Sequence, residues 1–169
     1  MAPENNTQRF ILVLVFIFVS LSFSLADASS FRVVWVHDGD TITVEPAKGG
    51  ARVRIRLYGI DCPETNQPYG LVAKNYVKNT LLYKPVNIKV KDKDRYGRTV
   101  AIVTLETGKI LQEELLQAGL AWVEPRHCKK CNDWRALQKE AGKNRQGLWR
   151  DKNPVPPWKW RQDFPLSPS

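Results

Sequence analysis

Four acidic residues and two arginines in this sequence have the types and spacing needed to handle a phosphate. Asp38 and Asp40 flank Gly39, Asp61 and Glu64 flank Cys62-Pro63, Arg56 lies five residues before Asp61, and Arg98 follows Gly97. Carboxylates gathered without a cluster of His or Cys favour a hard cation bound through oxygen. On its own, Asp38-Gly39-Asp40 is a polar turn; the arginines change that balance. A cation and two guanidinium groups would neutralise charge growing on phosphoryl oxygens, and the guanidinium fork would orient them. A separate glutamate could then orient or deprotonate the attacking water.

The elements that must position these residues are legible as short periodic runs. Phe31 to His37 and Thr41 to Val44 predict strands on either side of the Asp-Gly turn. From Ala51 to Tyr58, Val53, Ile55 and Leu57 alternate with Arg52, Arg54 and Arg56, so one face goes to a core and the other carries charge. Val86 to Lys91 repeats the pattern, with Val86, Ile88 and Val90 expected inward, and Arg98 to Leu105 follows a glycine turn. Helices are predicted over Leu71 to Leu82, Lys109 to Ala118 and Asp133 to Gln146, the last capped by Asn132 and stopped at Gly147. Five short strands with a helix between the third and fourth match a five-stranded barrel closed on itself.

The bulk properties are compatible with a polyanionic partner. Lys and Arg number 26 against 17 Asp and Glu, a formal charge of +9, and such an excess attracts phosphates and releases their counterions. Arg9, the apolar run from Phe10 to Val19 and the small-residue pattern Ala26-Asp27-Ala28 predict an export signal over residues 1–28. An uncleaved membrane anchor is the alternative. Residues 29–152 then form one domain, followed by a Pro/Trp-rich tail over 153–169 in which Trp158 and Trp160 are candidate anchors. In an exported chain Cys128 and Cys131 read as a local disulfide, with a zinc half-site beside His127 or a redox dithiol as rivals. Cys62 is left as a free, semi-buried thiol rather than a nucleophile.

Three blocks carry a family resemblance. Asp38-Gly39-Asp40-Thr41, Arg56-Leu57-Tyr58-Gly59-Ile60-Asp61-Cys62-Pro63-Glu64 and Asp94-Arg95-Tyr96-Gly97-Arg98 resemble the signature blocks of staphylococcal nuclease-like proteins, the thermonucleases. Leu116 to Val123 and Gly147-Leu148-Trp149 are similar to two further blocks, so the resemblance runs over about residues 31–150. The cysteine pair and Pro156-Pro157-Trp158-Lys159-Trp160-Arg161 look like an exported bacterial branch of that family.

The resemblance implies a mainly β fold with α, a five-stranded OB-fold barrel plus three helices. It implies Ca²⁺ held by Asp40, Asp61 and the backbone carbonyl of Cys62, with Asp38 in the outer shell. Glu64 matches the residue that acts on the attacking water, and Arg56 and Arg98 match the phosphate-binding arginines. The implied reaction is hydrolysis of DNA and RNA, preferentially single-stranded or fraying, leaving 3′-phosphate ends. A monomeric, periplasmic or secreted enzyme is the corresponding expectation. Glu124-Pro125-Arg126-His127 replaces the family's substrate-stacking tyrosines, and the basic loop after Glu64 is shortened. Tyr96, Lys89 and Lys91, with Arg52 and Arg54, are therefore the expected substrate contacts, while Trp122 is expected in the core. The alternative is a non-catalytic barrel that binds nucleic acid or serves as a scaffold.

Overall fold

The computed structural model describes residues 30–164. The predicted export signal and the end of the tail lie outside the described residues. Strands β1 (Ser30–Val36), β2 (Thr41–Pro46), β3 (Val53–Leu57), β5 (Pro85–Lys93) and β6 (Thr99–Leu105) close into a barrel in the order β1-β2-β3-β6-β5. All pairings are antiparallel except β3 with β6, which run parallel with Arg56 opposite Val100.

The alternation that predicted the strands explains the barrel interior. Val33, Ile42, Val44, Ile55, Leu57, Val86, Ala101 and Val103 are buried, and each large one contributes about 2 kcal/mol by leaving water. Val90, expected inward, is 61% exposed; it still pairs with Ala101 in unbroken register from Val86, and the irregularity in β5 comes only after it, between Val90 and Asp92. Where β3 ends, a side chain serves in place of a strand: Gln112 Nε2 donates to the Ala101 carbonyl at 2.9 Å, and its Oε1 accepts from Val103 N–H at 3.3 Å. Gln112 is fully buried, so these bonds satisfy backbone groups that water cannot reach.

The expectation of five strands and three helices is corrected in both counts. Among the described residues there are four α-helices: α1 (Gly70–Leu81), α2 (Leu111–Gln117), α3 (Asn132–Lys143) and α4 (Pro157–Asp163), with a 3₁₀ turn at Gly147–Arg150. Two further strands, β4 (Ile60–Asp61) and β7 (Trp122–Val123), pair as a separate two-stranded sheet. Helix α4 lies in the tail that lacked periodicity; Pro157 at its first turn suits the fixed φ of proline there. At α3 the cap position is Cys131, not Asn132, which already lies within the helix.

Helices α1 and α2 pack on the barrel with Ala73, Val77, Leu81, Leu111, Leu115 and Leu116 buried. Cys128 and Cys131 form a disulfide at the entry to α3. Trp134 of α3 is buried against Tyr58, with ring centroids 6.3 Å apart, and its indole N–H donates to Glu113 at 3.0 Å.

Candidate active site

Two loops at one end of the barrel meet because the first can approach closely. Asp38 Oδ1 accepts from the backbone N–H of Asp40 at 2.9 Å and so shapes the β1–β2 turn, the local role its position predicts. A Cβ on Gly39 would lie 2.7 Å from Cys62 Cβ and 2.8 Å from Ala73 Cβ, closer than side chains tolerate. Only glycine lets the turn pack against the Cys62 loop and α1 here. Asp40 Oδ2 then accepts from Cys62 N–H at 2.7 Å, joining the two loops.

Strand β3 supplies the cation between them. Antiparallel pairing sets Arg56 opposite Thr41, beside Asp40. Its guanidinium donates to Asp40 Oδ1 at 2.8 Å and to Asp61 Oδ1 at 2.7 Å. Asp61 is placed by the short β4–β7 sheet, which follows Gly59 at φ +71°. A Cβ on Gly59 would stand 2.6 Å from Cys128 Sγ, so the disulfide packs directly against the backbone that leads into Asp61.

Burial governs the electrostatics. It pushes the Asp40 carboxyl up to about 6, with Arg56 opposing and Asp38 adding to the shift. It raises Asp61 as well; the neighbouring Asp40 charge adds, while Arg161 and Arg56 oppose. Burial lifts the Cys62 thiol well above its ordinary range, leaving it protonated and poorly nucleophilic. Both carboxyls are raised by burial although Arg56 lies between them and Arg161 also reaches Asp61.

Glu64 joins this cluster through a residue that sequence patterning passed over. Arg161, from α4, donates through Nη2 to Asp61 Oδ2 at 2.7 Å, and through Nη1 to Glu64 Oε1 at 2.5 Å and Asp61 Oδ1 at 3.4 Å. The available signal is the aromatic, basic string Trp158-Lys159-Trp160-Arg161, in which Trp158 and Trp160 are the expected anchors and which resembles the exported branch of the family; neither reading gives Arg161 a place in the site. Glu64 itself sits at the start of a turn in which its carbonyl accepts from Gln67 N–H at 2.8 Å and its N–H donates to Gln67 Oε1 at 3.1 Å.

The remaining predicted residues lie around this centre. Arg98 precedes β6 rather than beginning it, and its ion pair is with Asp94, Nε to Oδ2 at 2.6 Å. The parallel register nevertheless puts it two residues before Val100, the partner of Arg56. Asp94 also accepts from the N–H groups of Tyr96 and Arg98, both at 2.9 Å. These bonds and the Arg98 charge outweigh burial and hold its carboxyl below the usual range. Tyr96 is exposed, with the Arg98 guanidinium 5.6 Å from its ring centroid. Lys89 and Lys91 are exposed on β5, and Lys91 Nζ stands 5.8 Å from the Tyr58 ring centroid. Trp122 is half-buried, edge-on to Trp149 and to Trp158 of the tail at 4.3 and 6.0 Å.

An open groove of about 420 Å³ runs between α4 and the segment after β7, lined by Glu124, Pro125, Arg126, Trp158, Arg161 and Gln162. Glu124 at its wall is buried; Arg126 and His127 donate to it and hold its carboxyl below the usual range against the opposing effect of burial.

Among the described residues no group of three or more His, Cys, Asp or Glu side chains is arranged to hold a metal ion. Asp40 and Asp61 instead form a two-carboxylate pair. An all-oxygen pair of this kind, buried and electron-rich, fits a hard cation that keeps part of its shell for water or substrate oxygens.

The chain is similar to known proteins along most of its length. The family model described as "Staphylococcal nuclease homologue" matches residues 54–151. A protein of Escherichia coli named "Uncharacterized endonuclease" is 40% identical over 130 residues, covering 77% of this chain and 83% of its own length. A Haemophilus influenzae protein of the same name is 34% identical over 155 residues, covering 89% of this chain and 82% of its own. The "Micrococcal nuclease" of Shigella flexneri is 35% identical over 142 residues, covering 77% and 79% respectively.

Proposed function

Because the chain belongs to the staphylococcal nuclease homologue family, we propose that it is a Ca²⁺-dependent nuclease that hydrolyses DNA and RNA to products with 3′-phosphate ends. The observation that carries this reading is the Arg56 bridge between Asp40 and Asp61, with Glu64 tied to the same carboxylate by Arg161. Nothing in a purely structural barrel calls for three acids and two guanidinium groups converging in one half-buried place.

Asp40, Asp61 and the backbone carbonyl of Cys62 would hold Ca²⁺, with Asp38 setting the turn behind them. When bound, the ion polarises a phosphoryl oxygen and neutralises charge that develops in the transition state. Glu64 orients the attacking water and accepts its proton. Arg56 holds phosphoryl oxygens from β3, and Arg98 from the turn that leads into the neighbouring β6. The water oxygen bonds to phosphorus, the bond to the 5′-oxygen breaks, and that oxygen leaves with a proton as a 5′-hydroxyl. The exposed Lys89, Lys91 and Tyr96 would track a flexible single strand without reading base edges.

The chain is further proposed to act outside the cytoplasm, on the strength of the signal pattern in residues 1–28 and of the Cys128–Cys131 disulfide, which oxidising compartments favour. The test of the function is direct. The purified chain with Ca²⁺ and heat-denatured DNA should release acid-soluble fragments ending in 3′-phosphate, and chelation should abolish this. Binding of the oligonucleotide without cleavage would replace the nuclease reading with a non-catalytic module.

A further inference from the structure

The C-terminal helix α4 docks against the loop that carries Glu64 and against Trp122. It is fastened without any contribution from Arg161: Gln67 Nε2 donates to the Val155 carbonyl at 2.6 Å, and Trp160 Nε1 donates to Asn66 Oδ1 at 3.2 Å. Pro157 is buried, and Trp158 packs edge-on to Trp122. With the tail already held at these points, the bonds made by Arg161 are surplus to docking.

Those bonds have a specific geometry. The two terminal nitrogens of one guanidinium reach two carboxylates, Asp61 at 2.7 Å and Glu64 at 2.5 Å. Arg56 holds the other oxygen of Asp61 from the barrel side. Asp61 is therefore gripped at both oxygens, Oδ1 by Arg56 and Oδ2 by Arg161, which also reaches Oδ1 at 3.4 Å, and its plane cannot turn freely. Glu64 is three residues further on, carries the same charge and has a longer side chain. Without a cation between them the two carboxylates repel, and Glu64 is free to swing towards solvent.

Building on the nuclease reading above, we infer that Arg161 is a positioning residue of the active site, holding the Glu64 carboxylate in place against Asp61. The C-terminal helix is then part of the catalytic unit. A planar, two-pronged donor is required for this, since a lysine ammonium is a single point charge that cannot span both carboxylates in fixed geometry.

The test compares the full-length parent chain with R161A and R161K, using Ca²⁺ and heat-denatured DNA. The expected result is a fall in kcat of about a hundredfold for R161A, the scale of a misplaced reacting group, with KM changed only a few-fold. R161K should recover little of the loss. Calorimetric titration of Ca²⁺ should show R161A binding the ion at least as tightly as the parent, because Asp40 and Asp61 remain and one positive charge is gone. Unchanged kcat would overturn the inference. Raised kcat would do so too, making Arg161 an occluding group, as would a rise confined to KM, making it a phosphate contact. A thermal-unfolding cycle of R161A, E64A and the double variant reads the same link without turnover: non-additive shifts support it and additive shifts overturn it. Should the parent itself prove inert, the nuclease reading fails while this cycle still decides whether Arg161 and Glu64 are coupled.

Discussion

The Asp40 carboxylate accepts a hydrogen bond from the backbone N–H of Cys62 at 2.7 Å, and this contact across 22 residues of sequence turns two loops into one site. Asp40 is buried, so the bond is made where water cannot compete. It also fixes the orientation in which Asp40 faces Arg56 and Asp61.

Asp40 should leave a pH signature on stability. Burial lifts its folded-state carboxyl from 3.8 to about 6. Between those values the folded protein binds a proton that the unfolded chain does not, so without metal the Asp40 contribution to stability falls as pH rises through the window. The shift corresponds to about 3 kcal/mol at most. D40N removes this contribution. In chelator, the unfolding free energy of D40N relative to the parent should therefore increase from pH about 4 to about 6 and level off above. Denaturant titrations across that range measure it; a flat or declining difference would contradict the account.

Glu64 and Arg98 should matter for turnover and little for folding. E64Q keeps the shape of the side chain and one acceptor for Arg161, while R98A releases a half-exposed ion pair with Asp94. Each should lower kcat by about 10²- to 10³-fold, the scale of losing one transition-state stabiliser. Circular dichroism melts should stay within a few degrees of the parent. Full activity in both variants would remove these residues from the proposed mechanism.

The Cys128–Cys131 disulfide should support the site from behind. The loop it closes is short, so constraint of the unfolded chain is worth about 2 kcal/mol. The fully buried Cys128 also packs against Gly59, two residues before Asp61. Replacing both cysteines by serine should lower the Tm by several degrees and weaken Ca²⁺ binding by disturbing the approach to Asp61. A melt and a calorimetric titration of the double variant check the two effects; no change in either would show the disulfide to be incidental.

Much of this arrangement was legible as residue pattern. The period-two runs around Val53 and Val86 place the strands because half-buried sheets demand alternation, and Arg56 could be assigned to the site from its place at the end of one run. Other features obey rules that periodicity does not carry. Val90 is exposed although it keeps the register of Val86 and Ile88, so the alternation alone does not give its burial. Strands β4 and β7 are two residues each, too short for any repeat to show. Helix α4 begins at the second of two prolines, residues that usually mark irregular chain, and the role of Arg161 depends on contacts 97 and 100 residues distant.

The origin of the site residues along the chain has a consequence for how the molecule fails. Asp40 comes from near one end of the described chain and Arg161 from near the other, and both lie outside the span 54–151 that matches the family model. A fragment cut to that span would lose β1 and β2 with Asp40, and so the barrel itself, whereas fraying of the tail alone would remove only the Arg161 guanidinium. Loss of activity would then precede loss of the barrel whenever the tail frays, which makes turnover a more sensitive reporter of local unfolding than any spectroscopic signal from the strands.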